Sequence, residues 1–345
     1  MRKTTTAALV AMITAAASQS PASAQTGVEA FYKSKDVQLL IGTAPGGTYG
    51  LYAQLVTRHL KKHIPGQPNV IMQSMPGAGG NVALNYSYAV APKDGSLIHV
   101  LHAEVLYETL LTSGVKFNAR DYNYIGRIAD ANAVALASKA SGVRTFEDAK
   151  KREMTMGATG FANVFALGPL MMNRTAGTRF RIIAGYKGTQ DIQIAMERGE
   201  LDGAAFTLAN VITIHGEKLK SGEIVPIFAI ATERVPEFPS IPAMTEFGDA
   251  TDKTLMSIYA STATIGRALA FPPGVPADRV AAMRAAFDRM IADADFRADL
   301  QKSNVPFAPM SGDDLAKYIA GVMQTPPDQI ESARKLQHVL LDGKK

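Results

Sequence analysis

Short uninterrupted apolar runs alternate along the chain with glycine-containing breaks and with stretches whose apolar residues recur every three or four positions. Val37 to Ile41 (VQLLI) is a run of the kind that fills a parallel strand buried on both faces. Ala44-Pro45-Gly46-Gly47 breaks it, and Leu51, Leu55, Val56, Leu60 and Ile64 then fall at helical spacing until Pro65-Gly66. The cycle repeats: a strand over Val70 to Gln73, a glycine loop over Pro76 to Gly80, a helix over Asn81 to Val90, and a strand over Leu97 to Leu101. Strand, glycine loop and helix in alternation predict an α/β fold with doubly wound sheets.

A second series follows. Ala133 to Ala137, Met154 to Gly157, Phe180 to Ala184 and Ala204 to Phe206 read as strands, Thr145 caps a helix at Phe146, and Ile192 to Met196 lies on a helix. Pro226 within the apolar segment Ile224 to Thr232 predicts an edge strand. The last part is helical: Val280, Met283, Phe287 and Ile291 line one face, Ser311 with Asp314 forms a capping pair, and Ile330, Ala333, Leu336 and Leu340 mark a final helix.

The first residues belong to another pattern. Arg2 and Lys3, the small and apolar run Ala7 to Ala17, and Ala22-Ser23-Ala24 read as a secretory signal cleaved after Ala24. Cleavage removes two of the five excess positive charges. The mature protein is expected to be soluble and exported, periplasmic in a Gram-negative cell. Cysteine is absent, which excludes a disulfide framework and thiolate chemistry. The remaining charge is spread along the chain and aromatic residues are sparse, so nucleic acid is not an expected partner.

Enzyme signatures are missing. APGGTYG lacks a phosphate-binding lysine, and GAGGNV has Val82 where a dinucleotide loop has its third glycine. No cofactor or metal is expected. His59 and His63 share a helix face beside Lys61 and Lys62, with no acidic neighbour in sequence, and read as a solvated face. His102 and Glu104, just past a strand end, line a cleft or stand on a surface loop. What remains is two neutral glycine turns, each following a strand and opening a helix. Unpaired backbone N–H groups and the positive helix end make such turns anion sites, and glycine lets a ligand approach the backbone. Two of them can converge on one carboxylate without an arginine.

VQLLIGTAPGG (37–47), PGAGG (76–80), APKDGSL (91–97), YKG (186–188) and GELD (199–202) occur in the order and spacing of the tripartite tricarboxylate transporter receptors, the Bug-type periplasmic binding proteins. The chain resembles that family from about Val37 to Phe307. The resemblance implies a two-lobed Venus flytrap of the type II periplasmic binding protein class, with crossover hinge strands. Residues 25–130 and 259–345 would form a discontinuous first lobe and residues 131–258 the second. It implies binding of a small organic acid by a monomer, with the membrane subunits of a secondary transporter as partner.

Carried over by position, the ligand-binding residues are Ala44, Pro45, Gly46, Gly47, Thr48 and Tyr49 from the first loop and Gly77, Ala78, Gly79, Gly80 and Asn81 from the second. His102 and Glu104 join them. The second lobe would add Thr159, Gly160, Phe161 and Asn163, then Tyr186, Lys187, Gly188 and Thr207; Phe161 also reads as core and Lys187 as a surface charge. Two departures stand out. The usual Ser-Thr-Asp after the first glycines is Thr48-Tyr49-Gly50, and the aromatic crossover is Ser257-Ile258-Tyr259, followed by a longer segment in which Arg267 reads as exposed or as a charge for a second carboxylate. Crossovers are expected near 129–131 and 257–260. Two other readings use the same residues: a secreted hydrolase or transferase with His102 as base and Glu104 as its orienter, and a ligand sensor for a membrane kinase.

Overall fold

Three of the apolar runs end in one row. The computed structural model describes residues 21–161 and 163–342, so the charged and apolar parts of the secretory signal lie outside the described residues. Helix α1 (Pro21–Lys33) comes first and contains the expected cleavage site. Strands β1 (Val37–Ile41), β2 (Val70–Ser74) and β3 (Leu97–Val100) are parallel, and Ile41 pairs with both Ser74 and Val100. Helices α2 (Thr48–Leu60), α3 (Asn81–Ala89) and α4 (Val105–Leu111) therefore all begin at one edge of this sheet. Because β1 lies between β2 and β3, the connections leave it in opposite directions, and the crevice between β1 and β3 is a switch point.

After β4 (Asn123–Arg127) the chain enters a second sheet. It is made of β5 (Ala133–Ser138), β6 (Met154–Ala158), β7 (Phe180–Ala184), β8 (Gly203–Thr207) and β9 (Ile224–Ile230), in the order β7-β6-β8-β5-β9. Helices α5 (Phe146–Lys151), α6 (Val164–Ala176), α7 (Thr189–Glu197) and α8 (Leu208–Lys220) alternate with the strands. Here β6 sits between β7 and β8, a second switch point. Pro226 lies in the edge strand β9, where the pairing with β5 shifts register, because proline has no N–H for a ladder.

The chain returns through α9 (Ala250–Ile265) to β10 (Ala268–Phe271), which joins the first sheet antiparallel between β3 and β4. Then α10 (Ala277–Ala292), α11 (Ala294–Lys302), β11 (Met310–Ser311), α12 (Gly312–Val322) and α13 (Pro327–Asp342) complete the described chain. The first sheet reads β11-β4-β10-β3-β1-β2 and so draws on both ends of the sequence. Of the two expected crossover strands, the stretch 129–131 is irregular backbone, but residues 257–260 lie inside α9. A capping box of Asp249 and Asp252 starts this helix, and Leu255, Ile258, Tyr259 and Thr262 recur at helical spacing on buried positions. Tyr259 accepts a hydrogen bond from Gln337 at 2.6 Å, which ties α9 to α13. One core cluster joins residues of α4, α6 and α9 to strands of both sheets.

His59 and His63 do not form a solvated face. His59 is buried against Phe296 and bonds Asp299 at 2.9 Å, while His63 bonds Asp293 at 2.9 Å. Both carboxylates flank or lie on α11, over two hundred residues later, so no sequence window around the histidines contains them. Among the described residues no group of three metal-type side chains is assembled.

Candidate functional site

Beyond β1, residues 44–47 are exposed and the chain turns into α2. Gly50 makes that turn possible, since a Cβ there would lie 1.8 Å from the Pro45 carbonyl oxygen. Gly46 and Gly47 are different. A Cβ on either meets nothing within 4 Å, and Gly47 has ordinary extended backbone. Neither packing nor backbone geometry demands glycine at these two positions, so the backbone there is open to close approach from outside the chain. Beyond β2, Gly77, Ala78, Gly79 and Gly80 all have positive φ (147°, 45°, 64° and 98°), a succession that turns the chain sharply into α3. Gly47 and Gly80 are the N-caps of α2 and α3, and neither helix receives a side-chain cap. Their first-turn N–H groups are therefore not satisfied by side chains, and the positive ends of both helix dipoles point to the same sheet edge.

Between these turns the structure brings together Tyr49, His102, Glu104 and Gly80. The His102 ring stacks on Tyr49, with centroids 4.8 Å apart and planes 13° from parallel. Gly80 is required for this, because its Cβ would lie 2.3 Å from the His102 ring. His102 Nδ1 is 3.2 Å from Glu104 Oε2, and the Tyr49 hydroxyl accepts a hydrogen bond from the Ala103 N–H at 3.0 Å. Burial pushes the Tyr49 phenol up to about 12, so it stays neutral. Burial, the largest single influence, would raise the Glu104 carboxyl, but the hydrogen bond to His102, the electrostatic pull of His102 and Arg267 and a backbone hydrogen bond together hold the group below the usual range. His99, one pleat away, is pushed down to about 3 by burial and bonds Ser87 at 2.8 Å, apart from this cluster.

Arg267 is the residue that sequence reasoning misplaced. Instead of standing on the surface it is 5% exposed. It precedes β10, and the antiparallel pairing of β10 with β3 sets it beside the carboxyl end of β3. Its guanidinium lies 4.6 Å from the Tyr49 ring centroid and 5.9 Å from that of Tyr52. Hydration lost by an unpaired buried cation costs several kcal/mol, and such aromatic contacts return about 1–2 kcal/mol each. The signal in the sequence was its position: a lone cation directly before the continuous apolar run Ala268 to Phe271. Four buried polar atoms without partners gather at this edge: Thr43 Oγ1, Gln73 Oε1, His102 Nε2 and Arg267 Nε. Buried polar groups are normally paired, and four of the ten unpartnered buried atoms among the described residues belong to this edge, which makes it a candidate site.

The second-sheet candidates are placed at the ends of β6, β7 and β8. Thr159 and Lys187 are exposed, and Gly160, Phe161, Asn163, Tyr186, Gly188 and Thr207 are half-buried. Phe161 packs on the large shared core and Tyr186 on the core of the second sheet. Asn163 caps α6 by accepting from the Phe165 N–H at 2.8 Å, and Thr207 caps α8 by accepting from Asn210 at 3.4 Å. No hydrogen bond or ring contact among the described residues links these side chains to Tyr49, His102 or Arg267.

No helix among the described residues is long and apolar enough to cross a membrane. No curated protein matches the sequence. Among solved structures the chain is similar to a solute-binding protein of the TctC type from Polaromonas, with a TM-score of 0.64, 17% identity, and coverage of 90% of this chain and 99% of that one. It is also similar to MatC from Rhodopseudomonas palustris with bound malate, at 0.61 and 20%, covering 88% and 99%. A further R. palustris protein, with adipate, follows at 0.60 and 18%, covering 87% and 97%. At such identities these likenesses establish the fold. The model described as "Tripartite tricarboxylate transporter family receptor" matches residues 53–333, most of the sequence, and the chain belongs to that family.

Proposed function

We propose that this protein is a periplasmic receptor that captures a carboxylate-bearing small molecule at the edge of its first sheet and delivers it to the membrane subunits of a tripartite tricarboxylate transporter. One observation carries the reading: two helix ends without side-chain caps, introduced by Gly46-Gly47 and Gly79-Gly80, lie together at the switch point of the parallel strands β2, β1 and β3. Gly46 and Gly47 there have space around them that folding does not use. The similar R. palustris proteins hold malate and adipate, both small organic acids. The protein acts as a monomer of two lobes, 25–130 with 259–345 and 131–258, which close on the ligand with Thr159 to Asn163, Tyr186 to Gly188 and Thr207 at the facing edge. Closure is favoured by contacts made in the closed state alone.

Binding without turnover suits this chemistry. The His102–Glu104 pair has the form of a base and its orienter, but His102 Nε2, the atom that would take a proton, is buried beneath Tyr49 and Gly80 without a partner. Thermal unfolding of the mature protein with mono-, di- and tricarboxylates tests the reading. A bound acid raises the midpoint in a dose-dependent way, and Gly46→Val removes that rise while leaving the ligand-free midpoint in place. An unchanged response in the variant, or hydrolysis of the bound compound, rejects it.

A further inference from the structure

Backbone amides at two helix ends suffice for one carboxylate, and they leave Arg267 unexplained. Its backbone is locked: the Arg267 N–H donates to Ala129 O at 2.8 Å, and its carbonyl accepts from the Ile128 N–H at 3.1 Å. Gly266 fixes the approach, with φ 51° and a Cβ that would lie 2.1 Å from Ala129 O. The side chain is thus delivered to the edge of the sheet rather than left to find its own place.

Among the described residues the guanidinium makes no ion pair and no side-chain hydrogen bond, and Nε is buried without a partner. Two carboxylates lie near enough to feel its charge, Glu104 and Asp130. Both are engaged elsewhere: Glu104 with His102 at 3.2 Å, and Asp130 with the Asn132 side-chain amide at 2.8 Å. Tyr49 and Tyr52 offer ring faces, which attract a cation but accept none of its five N–H bonds in the plane of the fork. A planar fork of donors that carries a positive charge and is held in place without an anion is suited to a carboxylate brought from outside.

We infer that Arg267 is the counter-ion for a second acidic group of the ligand, so that this receptor selects diacids over monoacids. The inference rests on the carboxylate reading above and deepens it. The glycine turns hold one carboxylate at the ends of β1 and β2. Arg267 takes the other at the amino end of β10, and the Tyr49–His102 stack stands between the two anion sites as a spacer.

The test compares diacids with their own monoamides, succinate with succinamate and adipate with adipamate, which differ by one charge and little in shape. Calorimetry on the wild-type protein is expected to show a preference for the diacid of roughly 10- to 100-fold, the range for one charge-assisted bidentate contact. In Arg267→Gln the preference falls to within about twofold, and Arg267→Lys, which keeps the charge without the fork, retains part of it. Equal wild-type affinities for diacid and monoamide overturn the inference, whether or not the variants fold. An unchanged ratio in folded Arg267→Gln overturns it as well. If the monoamides bind and Gly46→Val removes them, the glycine-turn reading stands even where the diacid preference is absent. If none of these acids binds the wild type, both readings fall together.

Discussion

In the first sheet the helices that follow β1 and β2 start at Gly47 and Gly80, which give them no side-chain cap. In the second sheet the helices that follow β6 and β8 start at Asn163 and Thr207, whose side chains accept from first-turn N–H groups, while α7, after β7, starts at Gly188 without a side-chain cap. Both sheets have the same local plan, with one strand flanked by its two successors and a switch point at its carboxyl end. The second sheet uses part of its helix-end donors in folding itself. The first gives α2 and α3 no side-chain cap, although the Asn81 and Val82 N–H groups turn back to the Ala78 and Gly77 carbonyls, and it leaves four unpaired buried polar atoms at the same edge. The difference between the sheets is thus one of degree: capping side chains serve two helices of the second sheet and neither α2 nor α3 of the first.

Substitutions can break that contrast. The largest effect is expected at Gly80, whose Cβ would strike the His102 ring at positive φ. Gly80→Ala should cost about 3 kcal/mol, read as a lower urea midpoint. Next is Gly47→Asp. Its backbone is extended, so aspartate can cap α2 as Asn163 caps α6, raising the ligand-free stability by a few tenths of a kcal/mol. The same carboxylate faces the incoming acid, and like charges in contact should weaken binding by roughly 100-fold. A stabilised variant that still binds would show that the uncapped end of α2 is not the anion site. On the other sheet, Asn163→Ala removes a cap and should lower stability by about 1 kcal/mol, measured by chemical denaturation. The smallest effect concerns acid. The Glu104 carboxyl is held below its unfolded value of about 4.3, so its contribution is present above that pH and is lost as pH falls through the folded value. The stability gap between wild type and Glu104→Gln should therefore narrow on acidification below pH ~4.

Much of the first sheet is legible in sequence because its signals are local. VQLLI, APGG, PGAGG and LIHV each carry strand or turn information within a few residues, and the strands begin and end within a residue or two of those runs. The elements that escape are those defined by distant partners. β4 (NYIGR) is polar at both ends, and β10 has four residues. The segment 257–260 suggests a crossover strand by position, yet the capping box at Asp249 and the depth of burial on both sides make it helix. His59 and His63 look solvated until α11 brings Asp299 and Asp293 to them.

The sequence by itself determined the α/β alternation, the two glycine turns and the neutral chemistry of the loops, because each depends on backbone freedom and hydrophobic period within one window. Tertiary structure alone decided what those turns surround. Level strand ends at Ile41, Ser74 and Val100 put Tyr49 against His102, and the antiparallel register of β10 set Arg267 over Tyr49. A charge read from sequence has a sign but no surroundings. Burial without a carboxylate partner is a property of the packed chain, and it turns an ordinary arginine into a residue that is short of an anion.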